Sequence, residues 1–130
     1  MIVDTSAIIA VLRNEPDAIA IGRTIQSSAI CRLSAVTYVE AGVVTDSNRD
    51  AVLSRKLDDL IRDTRMRIES VSTRQAQIAR QAYRDFGKGI DKAGLNFGDC
   101  FAYALAKDLD EPLLFKGGDF NHTDIEVAEF

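Results

Sequence analysis

The 130-residue sequence carries one histidine, two cysteines, two prolines and no tryptophan. A lone His122 makes a His-based catalytic triad or a histidine-built zinc centre hard to assemble, and it reads as a surface or turn residue. Cys31 and Cys100 show neither CxxC nor Cys/His spacing, which argues against zinc and against a disulfide framework. They read as small buried thiols. The longest apolar run, Ala7 to Leu12, is far too short to cross a bilayer. No basic start followed by an apolar segment and a small-residue cleavage site is visible, so a cytoplasmic protein is expected. Neither GxxxxGK[ST] nor GxGxxG occurs, leaving nucleotide-cradling loops unsupported. Repeats, low-complexity tracts and Pro/Gly linkers are also missing, so residues 1–130 are expected to form a single domain.

What is present is ordinary globular material, 46% hydrophobic and 28% charged, with an uneven charge. Residues 49–92 hold 11 Lys/Arg against 7 Asp/Glu, whereas the rest of the chain holds 5 against 13, for a net charge of −4. A basic middle beside an acidic remainder suits a protein that grips a polyanion and cages a cation. The plainer alternative is that two helices simply present solvated charged faces.

Hydrophobic periodicity orders the elements. Ile2 and Val3 form a short opening strand, followed by a helix to residue 13 that Thr5 or Ser6 caps. Pro16 suits the first turn of a second helix with Ala18, Ile21 and Ile25 on one face. Residues 30–33 read as a strand. Ser34 caps a third helix with Val36, Val39, Val43 and Val44 inward. A fourth helix over 50–64 is striped by Leu53, Leu57, Leu60 and Ile61. Residues 68–71 form a strand, and Thr73 caps a fifth helix striped by Ala76, Ala79, Ala82, Tyr83 and Phe86. Gly87, Gly89 and Gly94 mark a loop before a helix over 97–109. Residues 112–115 and 125–128 close the series as strands. Strands separated by helices imply an α/β fold, a central parallel sheet of four to five strands flanked by helices. Such folds bind ligands beyond the carboxyl ends of the strands.

That rule draws attention to acids. Asp4 directly follows the first strand, with a helix cap as the alternative role. Glu40 falls on the same helical face as Val36, Val43 and Val44, where an unpaired charge is too costly to keep. A buried salt bridge or an edge position is its alternative. Asp99 opens a helix, and Asn96 three residues earlier makes a capping box the competing reading. Asp119 follows the fourth strand in Gly117-Gly118-Asp119-Phe120, a run equally suited to a turn. Together they make one hypothesis: four carboxylates converging at one end of a sheet. Crowded carboxylates repel unless something positive sits among them, and Lys116 is the one nearby candidate. Oxygen-only ligands suit Mg²⁺ or Mn²⁺, and phosphodiester hydrolysis is the natural reaction class.

These acids lie in a pattern that resembles PIN-domain proteins. The likeness runs from Met1-Ile2-Val3-Asp4-Thr5-Ser6-Ala7 through Ser34-Ala35 and Tyr38-Val39-Glu40. It continues with Gly94-Leu95-Asn96-Phe97-Gly98-Asp99-Cys100 and Ala102 to Lys107, and closes with Pro112-Leu113-Leu114-Phe115-Lys116-Gly117 and Asp119-Phe120. Within that group it resembles the VapC toxins of type II toxin–antitoxin modules, most specifically over Tyr83 to Cys100. The resemblance implies a Rossmann-like parallel sheet, Mg²⁺-dependent endoribonuclease activity, a cognate VapB antitoxin whose C-terminal segment wraps the toxin, and a homodimer. Asp4 and Asp99 would be the first metal ligands, supported by Glu40. Asp119 is the fourth acid, although many family members place an acid or Asn where Gly117 stands. Thr5 and Ser6 match polar positions that orient the ligands. Arg62, Arg65, Arg67, Lys88 and Lys92 are expected to contact the RNA backbone. Two rivals are a Mg²⁺-dependent phosphatase of the haloacid-dehalogenase type, which would want a second Asp where Ser6 stands, and a non-catalytic module binding RNA or a partner.

Overall fold

A computed structural model describes residues 1–47 and 49–130. Among the described residues the order is β1 (Ile2–Val3), α1 (Thr5–Leu12), α2 (Ala18–Ser27), β2 (Arg32–Ser34), α3 (Ala35–Ser47), α4 (Ala51–Asp63), β3 (Arg67–Glu69), α5 (Thr73–Phe86), α6 (Phe97–Leu109) and β4 (Leu113–Leu114), then a 3-10 turn (Asp119–His122). The strands pair in the order β3-β2-β1-β4, all parallel. The strand expected over 125–128 reduces to a single bridge between Val127 and Leu113. It meets β4 through only two backbone bonds, Leu113 N–H to the Glu126 carbonyl and Ala128 N–H to the Leu113 carbonyl, both 2.9 Å.

Strand alternation divides the core into two layers. Ile2 and Leu113 pack with Leu95, Ala102, Leu105, Phe115 and Phe120 on the α5–α6 side. Val3 and Leu114 face the opposite layer, with Ile8, Ile21, Ile25, Leu33 and Leu57 from α1, α2, β2 and α4. β1 and β4 are therefore apolar at every position, as a sheet covered on both faces requires.

Local capping sets the helix starts. Asp4 rather than Thr5 or Ser6 caps α1, Asp50 caps α4, Ser72 rather than Thr73 caps α5, and Asn96 caps α6. Ser34 accepts a bond from Val36 N–H at 3.2 Å as α3 begins.

Two helical faces differ from expectation. In α3 the buried stripe is Thr37, Ala41 and Thr45, whereas Val39 and Val43 are 60% and 62% exposed. Small residues at i, i+4 and i+8 let α3 approach its neighbours closely, and the valines are turned outward. In α5 the buried residues are Gln75, Ala79 and Ala82, while Ala76 and Tyr83 remain exposed. Here α6 covers only part of the apolar arc of α5.

A separate charge cluster gathers around Arg32 at the amino end of β2. Arg32 bridges Glu69 at 2.7 Å and Glu111 at 3.0 Å. The candidate acids lie at the other end.

Leu105, fully buried between the sheet and α5, tests the packing of this layer. Leu105→Ala is expected to lower unfolding stability by about 2–5 kcal/mol in a urea titration, with an unchanged slope.

Candidate active site

Asp4 leaves β1 at its carboxyl end, 3% exposed. Its Oδ2 accepts bonds from Ser6 N–H at 2.9 Å and Ser6 Oγ at 2.6 Å. Ser6 Oγ in turn accepts from Lys116 N–H at 3.0 Å, tying the start of α1 to the loop after β4. Asp4 Oδ1 is buried and has no hydrogen-bond partner among the described residues. Burial, reinforced by the neighbouring Glu40 charge, raises the Asp4 pKa despite the bonds from Ser6.

Glu40, half-buried on α3, reaches the same cleft and accepts a short hydrogen bond from Thr5 Oγ1. Its path runs across Gly98 in the first turn of α6. A Cβ at Gly98 would overlap the Glu40 carboxylate, so the absence of a side chain there is what admits the acid. The sequence reading gave Gly98 no role of its own; a glycine inside a capped helical first turn was the available signal.

Asp99 and Asn96 form the capping box. Asp99 N–H donates to Asn96 Oδ1 and Asn96 N–H donates to Asp99 Oδ2, both at 2.9 Å. The cap and the cleft position coexist, since Asp99 also lines the cavity. Burial, first, and the charges of Asp4, Asp119 and Glu40 raise its pKa to about 7.

Asp119 completes the wall at the start of the 3-10 turn. Gly117, at φ +104°, takes a backbone conformation that a side chain would disfavour on the way to it. One cavity of about 360 Å³ thus joins Asp4, Glu40, Asp99 and Asp119. His122 is exposed and is not among the residues lining it.

The cations do not neutralise this wall. Lys116 lines the cleft, but its Nζ bonds Glu15 at 2.6 Å and Asp17 at 3.4 Å. Arg13, which the sequence reading missed, also lines the cavity at the end of α1, without an ion pair to the acids among the described residues. Arg65 and Arg67 stand at the amino end of β3, opposite the cleft, and Arg62 pairs with Asp59 and Asp63 at 2.9 and 3.1 Å. These three arginines are not among the residues lining the cleft.

As the side chains stand, no three Asp, Glu, His or Cys groups among the described residues close on a common point that would hold a metal ion. Each acid is drawn to its own neighbour: Asp4 to Ser6, Glu40 to Thr5, Asp99 to Asn96. The donor set nevertheless fits a hard divalent cation. Its oxygens are carboxylates, one of them buried and unpartnered, and the shared negative charge lacks a counter-ion.

The PIN-domain family profile matches residues 1–126. Ribonuclease VapC28 of Mycobacterium tuberculosis is 56% identical over 129 residues, covering 98% of this chain and 97% of the relative. Ribonuclease VapC42 of the same species is 44% identical, with 98% of each chain covered. Among solved structures, the sarcin-ricin-loop-cleaving toxin VapC20 of M. tuberculosis superposes with a TM-score of 0.74 at 18% identity, covering 98% of this chain and 97% of that one. A toxin–antitoxin complex from Klebsiella pneumoniae gives 0.73 at 16% identity, covering 98% and 95%. At those identities the two structures speak for the fold alone.

Three substitutions test the cleft as built. Gly98→Ala is expected to destabilise the chain by about 1–3 kcal/mol through collision with Glu40. Adding Glu40→Ala should recover part of that loss in a double-mutant cycle. Asp99→Asn tests the raised carboxyl. Below pH 4 the carboxyl is protonated folded or unfolded; between about 4 and 7 the folded state retains a proton that the unfolded state has released, so stability falls as pH rises. In metal-free buffer the variant should therefore melt no higher than wild type near pH 4 and a few degrees higher at pH 8.

Proposed function

The chain belongs to the PIN-domain family, in its VapC ribonuclease branch, and on that premise we propose that Asp4, Glu40, Asp99 and Asp119 hold a divalent cation, Mg²⁺ or Mn²⁺, at which an RNA phosphodiester is hydrolysed. The observation that carries the site is the buried Asp4, whose Oδ1 has no partner among the described residues and which lines a cavity that three further carboxylates share. When bound, such a cation supplies an activated water and offsets charge on the phosphate.

The chain's own groups do the positioning. Ser6 fixes the Asp4 carboxylate through Oδ2, leaving Oδ1 without a partner among the described residues. Thr5 holds Glu40, and the Asn96 cap sets the rotation of Asp99 on the first turn of α6. Asp119 closes the anionic wall from the loop after β4. Ser6 also occupies the place of the second Asp that a dehalogenase-type phosphatase would need, and its hydroxyl is committed to Asp4.

The chain is the toxin of a VapBC-type module, acting in the cytoplasm as a single PIN domain over residues 1–130. It is neutralised by a VapB antitoxin and works as a homodimer. The named VapC relatives and the similar fold within a toxin–antitoxin complex support the toxin role and the antitoxin partner. No helix among the described residues is long and apolar enough to cross a membrane.

Asp99→Asn is the decisive variant. Induced expression of the wild type should arrest growth and generate new RNA 5′ ends, while Asp99→Asn should do neither and remain folded. Mn²⁺ should raise the wild-type melting temperature and leave that of Asp99→Asn nearly unchanged; wild-type-like cleavage by the variant would exclude the ligand role. Co-purification with the product of a neighbouring small open reading frame tests the antitoxin.

A further inference from the structure

Two basic side chains line the acid cavity, Arg13 and Lys116, and only Lys116 is held by acids among the described residues. We propose that Arg13 is a substrate-positioning residue whose guanidinium binds the RNA phosphate next to the one that is cleaved. The inference rests on the ribonuclease reading and adds to it the path of the substrate strand.

Location, rather than the lack of an ion pair, sets Arg13 apart. Other arginines among the described residues are also unpaired, but none of them lines this cavity. The cause is helical spacing. Thr5, Ile9 and Arg13 recur at i, i+4 and i+8 and so share one face of α1. Thr5 holds Glu40 at the acid end of that face. Helical side chains lean toward the amino end of their helix, which turns Arg13 back toward the acids. Its backbone N–H donates to the Ile9 carbonyl at 2.9 Å, a bond that any residue but proline would make. The exposed side chain is therefore not needed to end the helix.

The cleft requires a cation that phosphate can use. A phosphodiester is an anion, and four carboxylates outnumber the two charges of a single divalent ion, so the wall repels the strand on either side of that ion. Lys116 is spent on Glu15 and Asp17, the two acids that follow Arg13 in the chain. The planar fork of a guanidinium grips two phosphate oxygens at once.

Distance decides which phosphate. At about 1.5 Å per residue, the stretch from Thr5 to Arg13 covers about 12 Å of helix. The two ends of this face suit successive phosphates of one strand rather than a single group. Ile9 lies between them, and Val44, one turn past Glu40 on α3, lines the same cavity. The intervening sugar thus meets an apolar stretch of wall.

The experiment is single-turnover cleavage, at rising enzyme concentration, of an RNA fragment spanning a 5′ end mapped after wild-type induction. It separates binding from the chemical step. Arg13→Gln should raise the half-saturating concentration about tenfold at an unchanged plateau rate. It should also reduce the slope of log affinity against log salt by about 0.7, the share of one single-strand phosphate. Arg13→Lys should keep that slope and recover part of the affinity, and Arg23→Gln, outside the cleft, should match wild type. The melting shift caused by Mn²⁺ should be the same in Arg13→Gln as in wild type. Wild-type affinity and slope in Arg13→Gln would overturn the proposal, as would an equal loss in Arg23→Gln or a lower plateau at unchanged half-saturation. Wild-type RNA values with lost co-purification of the neighbouring small protein would give Arg13 to that partner instead. If wild type cleaves and Arg13→Gln is unaffected, this assignment alone fails; if wild type generates no new RNA ends, the ribonuclease reading fails with it.

Discussion

The arrangement depends on one carboxylate placed where the chain can neither expose it nor neutralise it. Asp4 follows two strand residues that are buried on both faces of the sheet, so its side chain emerges at the carboxyl edge already surrounded by protein. The Ser6 hydroxyl then serves two elements at once, donating to Asp4 and accepting from the backbone after β4. The strand end, the start of α1 and the loop leading to Asp119 are thereby held in register by a few bonds. Distant acids need only lean toward this fixed point.

Some of this was legible in the residues. The unbroken apolar pairs Ile2-Val3 and Leu113-Leu114 suit a doubly covered parallel sheet, and the rule that ligands gather beyond strand ends picks out Asp4 and Asp119. Glu40 reads from the sequence as a charge on the apolar face of Val36, Val43 and Val44. The stripe itself was misread, because Val39 and Val43 outrank Thr37 and Thr45 in hydrophobicity although the latter pair is buried. Close helix packing favours small side chains, and hydropathy alone does not register that preference. Arg13 and Gly98 escaped for a different reason. Their importance comes from which elements meet across the cleft, a long-range property that local periodicity does not encode. The same holds for Arg62, Arg65 and Arg67, whose place in a basic segment said nothing about which end of the sheet they occupy.

The cleft is also where local stability is surrendered. A buried oxygen without a donor and two acids with raised pKa values are unfavourable in the folded chain. The core layers on either side of the sheet, with Leu33, Leu105, Leu113 and Leu114 fully enclosed, offset that loss. Capping works in the same direction. Asp4 and Asp99 each satisfy backbone N–H groups at a helix start, so the residues that strain the site also begin the helices that carry it.

The proton retained by Asp99 near neutrality has a consequence for ion uptake. A divalent cation entering this cleft would compete with that proton for the same oxygens, and each occupancy event would return acid to the solvent. Affinity for the ion is then coupled to the acidity of the surroundings: acidification favours the hydrogen-loaded form, and alkalinisation favours the ion-loaded one.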